Sequence, residues 1–369
     1  MAFKLDFSSI LSDLANMFVS GVATGIDIGT SGVKVVQLKK AKGAVVFDKF
    51  AVVPYPVDDV FGGKGEIANV DAVASTIKEA LAAAGIKAPG KVVADIPSTN
   101  AVIRLIDLPM MTDEDLEQSI VFEAERYLPY SLAEMSVSYH KVGQFEAEGA
   151  PRLKVMIVAA KQEILFGYLE SLRLAGIKDP IIDVDAIAVV NALRPILPAD
   201  EGVAIMDFGA GKTGISIVQD RQIQIVRSVL MGGKSITSAI QNVLGEDWMQ
   251  AEQAKMERGK IVVDDGEEED EVAETVRNVV EDIVGDIRRS LEFYQTSTRQ
   301  HIDSVIITGG SSKIYNLDRF LQMELGVDVM IGNALQGLKI AETIPQEALE
   351  DKLPELTCAI GLALREVIS

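Results

Sequence analysis

The spacing of apolar residues changes period several times along the chain, and each change marks an element. Residues 3–18 place Phe3, Phe7, Ile10, Leu11, Leu14, Met17 and Phe18 on one stripe of a predicted helix. Its polar side carries Lys4 against Asp6 and Asp13. Lipid-surface helices carry a Lys/Arg-rich polar face, so this pattern points to packing against protein. From Ala23 the pattern turns to strands, with GIDIG, VKVVQL and VVFDKFAVVPYP predicting a three-stranded meander. The loop FGGKGE precedes a predicted helix from about Val70 to Ala84, closed by Gly85, and KVVADIP follows as a buried strand.

Residues 99–160 read differently. A strand NAVIRLIDLP leads to a predicted helix from Thr112 to Leu128, with Thr112 and Asp115 giving a capping-box-like start and Pro129 a stop. The strands SVSYHKV and LKVMIVAA complete an α+β piece that reads as an insert. Beyond it come a helix over 161–175, the strand IIDVD, the helix AIAVVNAL and a second meander, GVAIMDFGAGKTGISIV with RQIQIVRSVLM. The acidic run at 264–271 reads as a solvated loop. It is followed by a long helix to about Thr298, the strand SVIITGG, another helix and a last helix around 356–367.

This order predicts an N-terminal helix over 1–22, a first domain over 23–98 and 161–200, an insert subdomain over 99–160 and a second domain over 201–369. The second domain includes a helical part at about 233–300. The length of 369 residues suits two domains, and 48% apolar with 24% charged residues suits a folded chain. A net charge of 35 − 55 = −20 disfavours nucleic acid and anionic lipid as general partners. The one cysteine, Cys358, cannot form an internal disulfide, lies in an apolar stretch, and fits a reducing compartment as a buried small hydrophobe. His140 and His301 form no zinc-ligand pattern, so any metal is expected to be a hard cation on oxygen. No run approaches the ~18 apolar residues of a membrane span, and the start lacks a secretory pattern, so a cytoplasmic location is expected.

The chemistry concentrates in a repeat. Ile26-Asp27-Ile28-Gly29 and Met206-Asp207-Phe208-Gly209 share one design: apolar strand, aspartate at its end, X-Gly, a short polar loop and a second apolar strand. The aspartates are 207 − 27 = 180 residues apart, which predicts two similar halves whose loops face a shared cleft. Glycine lets the backbone approach a ligand, consecutive N–H groups can line an anion nest, and Thr30, Ser31 and Thr213 add hydroxyls. An aspartate beside such a loop would repel phosphate unless a cation lies between them, so Asp27 and Asp207 imply Mg²⁺, held through water. A third glycine element, VIITGGSSKIYNL, is expected to open a helix with Gly309 and Gly310 admitting a nucleoside and Ser311 and Ser312 as caps.

These motifs, in this order, resemble the actin, heat-shock-protein and sugar-kinase superfamily. GIDIGTSGVK is similar to its first phosphate motif, MDFGAGKTGISI to its second and ITGGSSKI to its adenosine motif. IIDVDAIAVVNAL and TCAIGLALR resemble its two connecting helices, and MQAEQAKMERG the helix that contacts ribose and adenine. The resemblance implies an α/β, duplicated two-domain actin-like (ribonuclease H-like) fold. It implies ATP and Mg²⁺ as ligands, held by Gly29, Thr30, Ser31, Lys34, Gly209, Gly211, Lys212, Thr213, Gly232, Gly233, Glu252, Lys255, Gly309, Gly310 and Ser311. Asp183 and Asp185 stand where hydrolysing relatives orient water, and capping the following helix is an equal role for either.

The insert lies where FtsA-type chains carry theirs. RLIDLPMMTDEDLEQSI with FEAERYLPYSLAEMSVSYHKV resembles the PilM family of type IV pilus assembly proteins. That resemblance implies an ATP-binding cytoplasmic adaptor, peripheral at the inner membrane, that receives the N-terminal tail of a PilN-like inner-membrane protein beside the insert and links it to the pilus motor. The leading segment of about 20 residues is longer than that family's pattern. Two alternatives differ in class. An FtsA-like filament former would self-associate, whereas a small-molecule kinase would need a general base, for which Asp95 at the end of KVVADIP is the candidate.

Overall fold

A computed structural model describes residues 21–57, 59–63, 65–147, 149–264, 266 and 268–368. The predicted helix over 3–18 lies outside the described residues. The chain divides into two compact units, the first comprising residues 1–192, 337–346 and 358–369 and the second residues 193–336 and 347–357.

In the first unit, β1 (Val22–Gly29), β2 (Gly32–Ala41) and β3 (Ala44–Pro54) form the meander. Tight turns join them, the first placing Gly29 opposite Gly32 and Asp27 opposite Lys34. Helix α1 (Val70–Ala83) starts where the Asn69 side chain accepts the Ala72 N–H, and Gly85 follows it at a φ of +65°. It leads back to β4 (Lys91–Ile96), which runs parallel to β1. The insert then contributes β5 (Ala101–Pro109), α2 (Asp113–Glu125), β6 (Met135–Ala147) and β7 (Ala150–Lys161). Its three strands lie in the order β5-β7-β6 and bury Ile106, Leu108, Val155 and Ile157 against Leu116, Ile120 and Ala124 of α2. Alternation along the strands and i, i+4, i+8 spacing on the helix give the insert its own small core. Helix α2 stops at Glu125, before the expected Leu128, because Tyr127 and Leu128 donate to Ala124 and Glu125 in a tighter turn. Helix α3 (Gln162–Leu174), β8 (Ile181–Val184) and α4 (Asp185–Leu193) return the chain to the main sheet.

The second unit repeats the plan with β9 (Gly202–Phe208), β10 (Thr213–Gln219) and β11 (Gln222–Val229) as its meander. Three helices follow: α5 (Gly233–Leu244), α6 (Trp248–Arg258) and α7 (Glu271–Thr298). Then come β12 (Ser304–Thr308), α8 (Leu317–Leu325) and β13 (Asp328–Ile331). Over 28 residues α7 keeps Val276, Val280, Ile283, Ile287, Leu291 and Tyr294 on one buried face. The strand β14 (Lys339–Ile340) pairs with β3, and α9 (Gln346–Ile368) ends the described chain. The main sheets run β14-β3-β2-β1-β4-β8 and β11-β10-β9-β12-β13. Apart from β14 the two orders are the same, with each meander's first strand central and a parallel crossover strand beside it. Such sheets present ligands at the carboxyl ends of their strands, where Asp27, Asp95, Asp207 and Thr308 all lie.

The described residues of the acidic run form an exposed loop as expected, with surface pairs along it: Asp264 pairs with Arg319 at 2.8 Å, Glu269 with Arg277 at 2.7 Å, and Asp270 caps α7 through the Ala273 N–H. Two other sequence expectations change. Helix α9 begins at Gln346, about one helical length before the expected start, and runs through Pro354. The Pro354 carbonyl accepts the Gly309 N–H at 3.0 Å. Ser311 and Ser312 lie in a 3-10 turn over Gly310–Lys313 and cap no α-helix; α8 starts later, behind Asn316 in the left-handed conformation.

Candidate functional site

In the second unit the sequence-predicted residues come together around one loop. The loop between β9 and β10 holds Gly209, Ala210, Gly211 and Lys212. Its carbonyls at Gly209 and Ala210 accept the N–H groups of Gly233 at 3.0 Å and Lys234 at 2.8 Å. The start of α5 is thereby fastened to the loop. A Cβ on Gly232 would lie 2.5 Å from the Gly209 carbonyl, and one on Gly233 2.5 Å from Ser311 Oγ. Gly232 needs glycine because the helix start and the loop touch there by backbone, whereas a Cβ on Gly233 would meet the side-chain hydroxyl of Ser311. Ser311 closes the third side by donating to the Gly209 carbonyl at 3.3 Å. Gly309 sits at a φ of +87°, and a Cβ there would meet Asp207 Oδ1 at 2.3 Å. Asp207, the loop, α5 and the Gly309 turn thus form one backbone-braced assembly.

Glu252 and Lys255 project from α6 into the same assembly. Lys255 Nζ lies 2.7 Å from Glu252 Oε2 and donates to Thr237 Oγ1 at 2.8 Å and to the Gly233 carbonyl at 3.2 Å. Thr237, fully buried, also donates to the Glu252 carboxylate. The sequence reading passed over Thr237 because a single threonine inside a helix carries no motif. Thr213 behaves differently from its expected role. It is buried, and its hydroxyl donates to the Met231 carbonyl at 2.9 Å, tying the start of β10 to the link between β11 and α5.

The first unit builds its loop around buried charge. Lys34 Nζ lies 3.6 Å from Asp27 Oδ2 and donates to Ser31 Oγ at 3.4 Å. A Cβ on Gly29 would lie 2.7 Å from that ammonium. Behind Asp27 stands Asp95, whose Oδ1 accepts the Ile28 N–H at 2.9 Å and whose Oδ2 faces the Cys358 thiol at 3.7 Å. One ligand atom from each of Asp27, Asp95 and Cys358 falls within 4.8 Å of the others. Burial, then the neighbouring Asp27 and Asp185 carboxylates, push the Asp95 carboxyl well above the usual carboxylate range. Burial first, then Asp27 and Asp95, likewise raise the Tyr55 phenol, whose hydroxyl is enclosed without a hydrogen-bond partner among the described residues.

The two candidate water-orienting aspartates separate. Asp183 is fully buried in an ion pair with Arg365 of α9 at 2.9 Å. Asp185 opens α4, accepts the Ser98 N–H at 2.9 Å and stands beside Asp95. Arg365 escaped the sequence reading because its partner lies 182 residues away. Both oxygens of Asp95, the candidate general base, are occupied, one accepting a backbone N–H and the other facing a thiol, in a site only 3% exposed.

Duplicated sheets of matching strand order, each with an aspartate and a glycine loop at the end of its central strand, define an actin-like fold. MreB 5 of Spiroplasma citri bound to AMPPNP shares it, with a TM-score of 0.52, 14% identity and coverage of 93% of this chain and 95% of that one. The family model for type IV pilus assembly protein PilM matches residues 25–367, and the chain belongs to that family. A solved PilM-PilN type IV pilus biogenesis complex matches with a TM-score of 0.82 and 28% identity, covering 94% of this chain and 98% of that one. Cell division protein FtsA of Streptococcus pneumoniae serotype 2 is 23% identical over 262 residues, which span 65% of this chain and 56% of that relative's length. Among the described residues no helix is long and apolar enough to cross a membrane.

Proposed function

We propose that this protein is a cytoplasmic, ATP-binding adaptor of the type IV pilus assembly machinery, peripheral at the inner membrane. It receives the N-terminal tail of a PilN-like protein on its insert and links that protein to the pilus motor. The observation that carries this reading is the match to the PilM-PilN complex over 94% of the chain. Nucleotide binding is supported by the backbone-braced loop of the second unit, with Gly209, Gly211, Lys212, Gly232 and Gly233 at the phosphates and Gly309, Gly310, Ser311, Glu252 and Lys255 at the nucleoside. In the first unit Gly29, Thr30, Ser31 and Lys34 serve the phosphates. Asp27 and Asp207 offer hard oxygen donors that fit Mg²⁺ through water, which would supply charge neutralisation for the phosphates. Asp185, and not the ion-paired Asp183, would face a hydrolytic water.

The insert, taken as residues 99–160, carries an exposed apolar surface of Met110, Val121, Phe122, Tyr127 and Tyr130, with Phe122 70% exposed. Glu114, Glu117 and Glu125 on α2 add negative charge on the helix side of it, while Lys161 lies over the Tyr130 ring at 3.8 Å. Cytoplasmic segments next to a membrane span carry excess Lys and Arg, which makes such a tail complementary to this surface. Calorimetric titration with MgATP, with phosphate release followed in the same sample, tests the site: binding is expected in the native protein and its loss in Asp207→Ala. Titration of a PilN-tail peptide with and without MgATP tests the adaptor role. A peptide affinity unmoved by Phe122→Ala would remove the insert surface from the reading.

A further inference from the structure

The two main sheets differ at one edge. In the first unit the outer strand of the meander, β3, is covered by β14, which runs parallel to it and sets Lys339 and Ile340 opposite Val46 and Phe47. In the second unit the equivalent strand, β11, is the edge of its sheet, with β10 its one neighbour among the described strands. Both strands carry a bulge, which leaves Asp48 in β3 and Gln224 in β11 without an opposite residue. β14 pairs with the two residues just before the bulge in β3, and the matching residues of β11 are Gln222 and Ile223. There the Gln222 carbonyl accepts the Gln224 side-chain amide at 3.2 Å.

Arginines mark this edge. Arg221 immediately precedes β11, and its Nε donates to the Leu197 carbonyl at 3.0 Å. Arg194 Nη1 donates to the Arg221 carbonyl at 3.2 Å, and Arg227, within β11, lies over Phe293 at 4.7 Å from the ring centroid. Among the described residues these three arginines have no carboxylate partner, whereas Arg258, Arg277, Arg288, Arg289 and Arg319 of the same unit each pair with one. Burial, and after it the Arg221 charge, lower the Arg194 pKa, so an anion at this end of the strand would offset the repulsion.

We propose that β11 accepts an acidic, extended segment of a partner protein as an added strand, paired at Gln222 and Ile223 and with its carboxylates toward Arg194, Arg221 and Arg227. An open edge supplies backbone donors and acceptors for such a segment, and the guanidiniums select its charge. In a chain of net charge −20, arginines without acids are complementary to an acidic partner. The chain's own acidic run is already engaged, with Asp264, Glu269 and Asp270 paired to Arg319, Arg277 and Arg258, so a second copy offers no free acidic strand from it. This occupant is opposite in charge to the tail proposed for the insert, and neither reading depends on the other.

The test uses the full chain and a fluorescent peptide of alternating Glu and Val, blocked at both ends, with a peptide of alternating Lys and Val as control. The acidic peptide should bind and the basic one should not. The double variant Arg221→Glu, Arg227→Glu should weaken binding by about tenfold or more, with Tm and MgATP affinity at native values. Hydrogen exchange across Gln222–Val229 should slow when the peptide binds, and methylating the peptide's backbone nitrogens, which keeps its charge, should abolish binding. Absent binding, equal binding of both peptides, or unchanged exchange along β11 would overturn the proposal. Self-association of the native chain in sedimentation, lost in the variant, would assign the edge to a second copy and replace it.

Discussion

The two aspartate loops share a strand order and a motif, yet they are held in different ways. The first loop is a tight hairpin turn whose aspartate backs onto Asp95 and Tyr55, with Asp185 on the other side of Asp95 and Lys34 as the near cation. The second is longer and is braced by backbone, through the Gly209 and Ala210 carbonyls, the start of α5 and the Gly309 turn. One unit concentrates ionisable groups where substitution changes charge. The other concentrates glycines where substitution changes shape.

The sharpest way to break this comparison is to remove the charge that holds the first unit's far strand. Arg365→Ala leaves Asp183 buried without its partner, and a loss of roughly 3–5 kcal/mol is expected on denaturant unfolding. Restoring an apolar pair with Arg365→Met and Asp183→Leu should recover much of it, because neither charge then remains buried. A single variant within about 0.5 kcal/mol of the native protein would show that Asp183 finds other support.

Shape is tested next. Gly309→Ala forces a non-glycine residue to a φ of +87° and a Cβ toward Asp207 Oδ1 and the Phe208 backbone. Backbone strain alone costs about 1–3 kcal/mol. The expected readout is a lowered Tm together with weakened MgATP binding, since Asp207 must shift. Gly326→Ala, also at positive φ but with open space around its Cβ, is the control: it should lower Tm and leave nucleotide affinity unchanged.

Much of this fold was legible in the sequence for a physical reason. Both meanders, α1, α3 and α7 announce themselves by local periodicity, and the repeated Asp-X-Gly could be read without knowing what lies opposite it. The partners were illegible where they depend on distance. Arg365 meets Asp183 across 182 residues, Cys358 meets Asp95 across 263, and neither spacing leaves a local trace. The expected last helix at 356–367 begins after Pro354, whereas α9 runs through that proline from Gln346, and the Pro354 carbonyl accepts the Gly309 N–H from another element. The threonines divide in the same way: Thr213 looked like a phosphate ligand by position, and Thr237, within a helix, is the one that meets Glu252 and Lys255.

A smaller effect sharpens the electrostatic side. Asp270 caps α7, and its carboxyl is held below the usual range by the Ala273 N–H and by Arg258, working against burial. A depressed folded-state pKa contributes stability above the unfolded value and loses it as pH falls through the folded one. Asp270→Ala should therefore cost about 1 kcal/mol at neutral pH. The difference from the native protein should shrink as pH drops below the ordinary aspartate range. Urea unfolding of both proteins between pH 7 and pH 3 measures it, and a gap that stays constant would mean that the cap acts without its charge.

Asp95 should behave with the opposite sign. Its carboxyl is raised by burial, Asp27 and Asp185, so the native state favours the protonated form. Whatever stability that form contributes is fully present below the unfolded pKa and is lost as pH rises through the folded one. Asp95→Asn keeps the shape and an acceptor for the Ile28 N–H while removing the charge. With chelator present, the variant should match the native protein in acid and gain on it steadily toward neutral pH. Because Lys34 and the Cys358 thiol partly offset the buried charge, the gain should be the smallest of these effects in acid and grow only with ionisation. If Asp95→Asn instead loses ground as pH rises, the ionised carboxylate is being held in place by a positive partner, and the first loop is organised by attraction, not by the cost of crowding three aspartates.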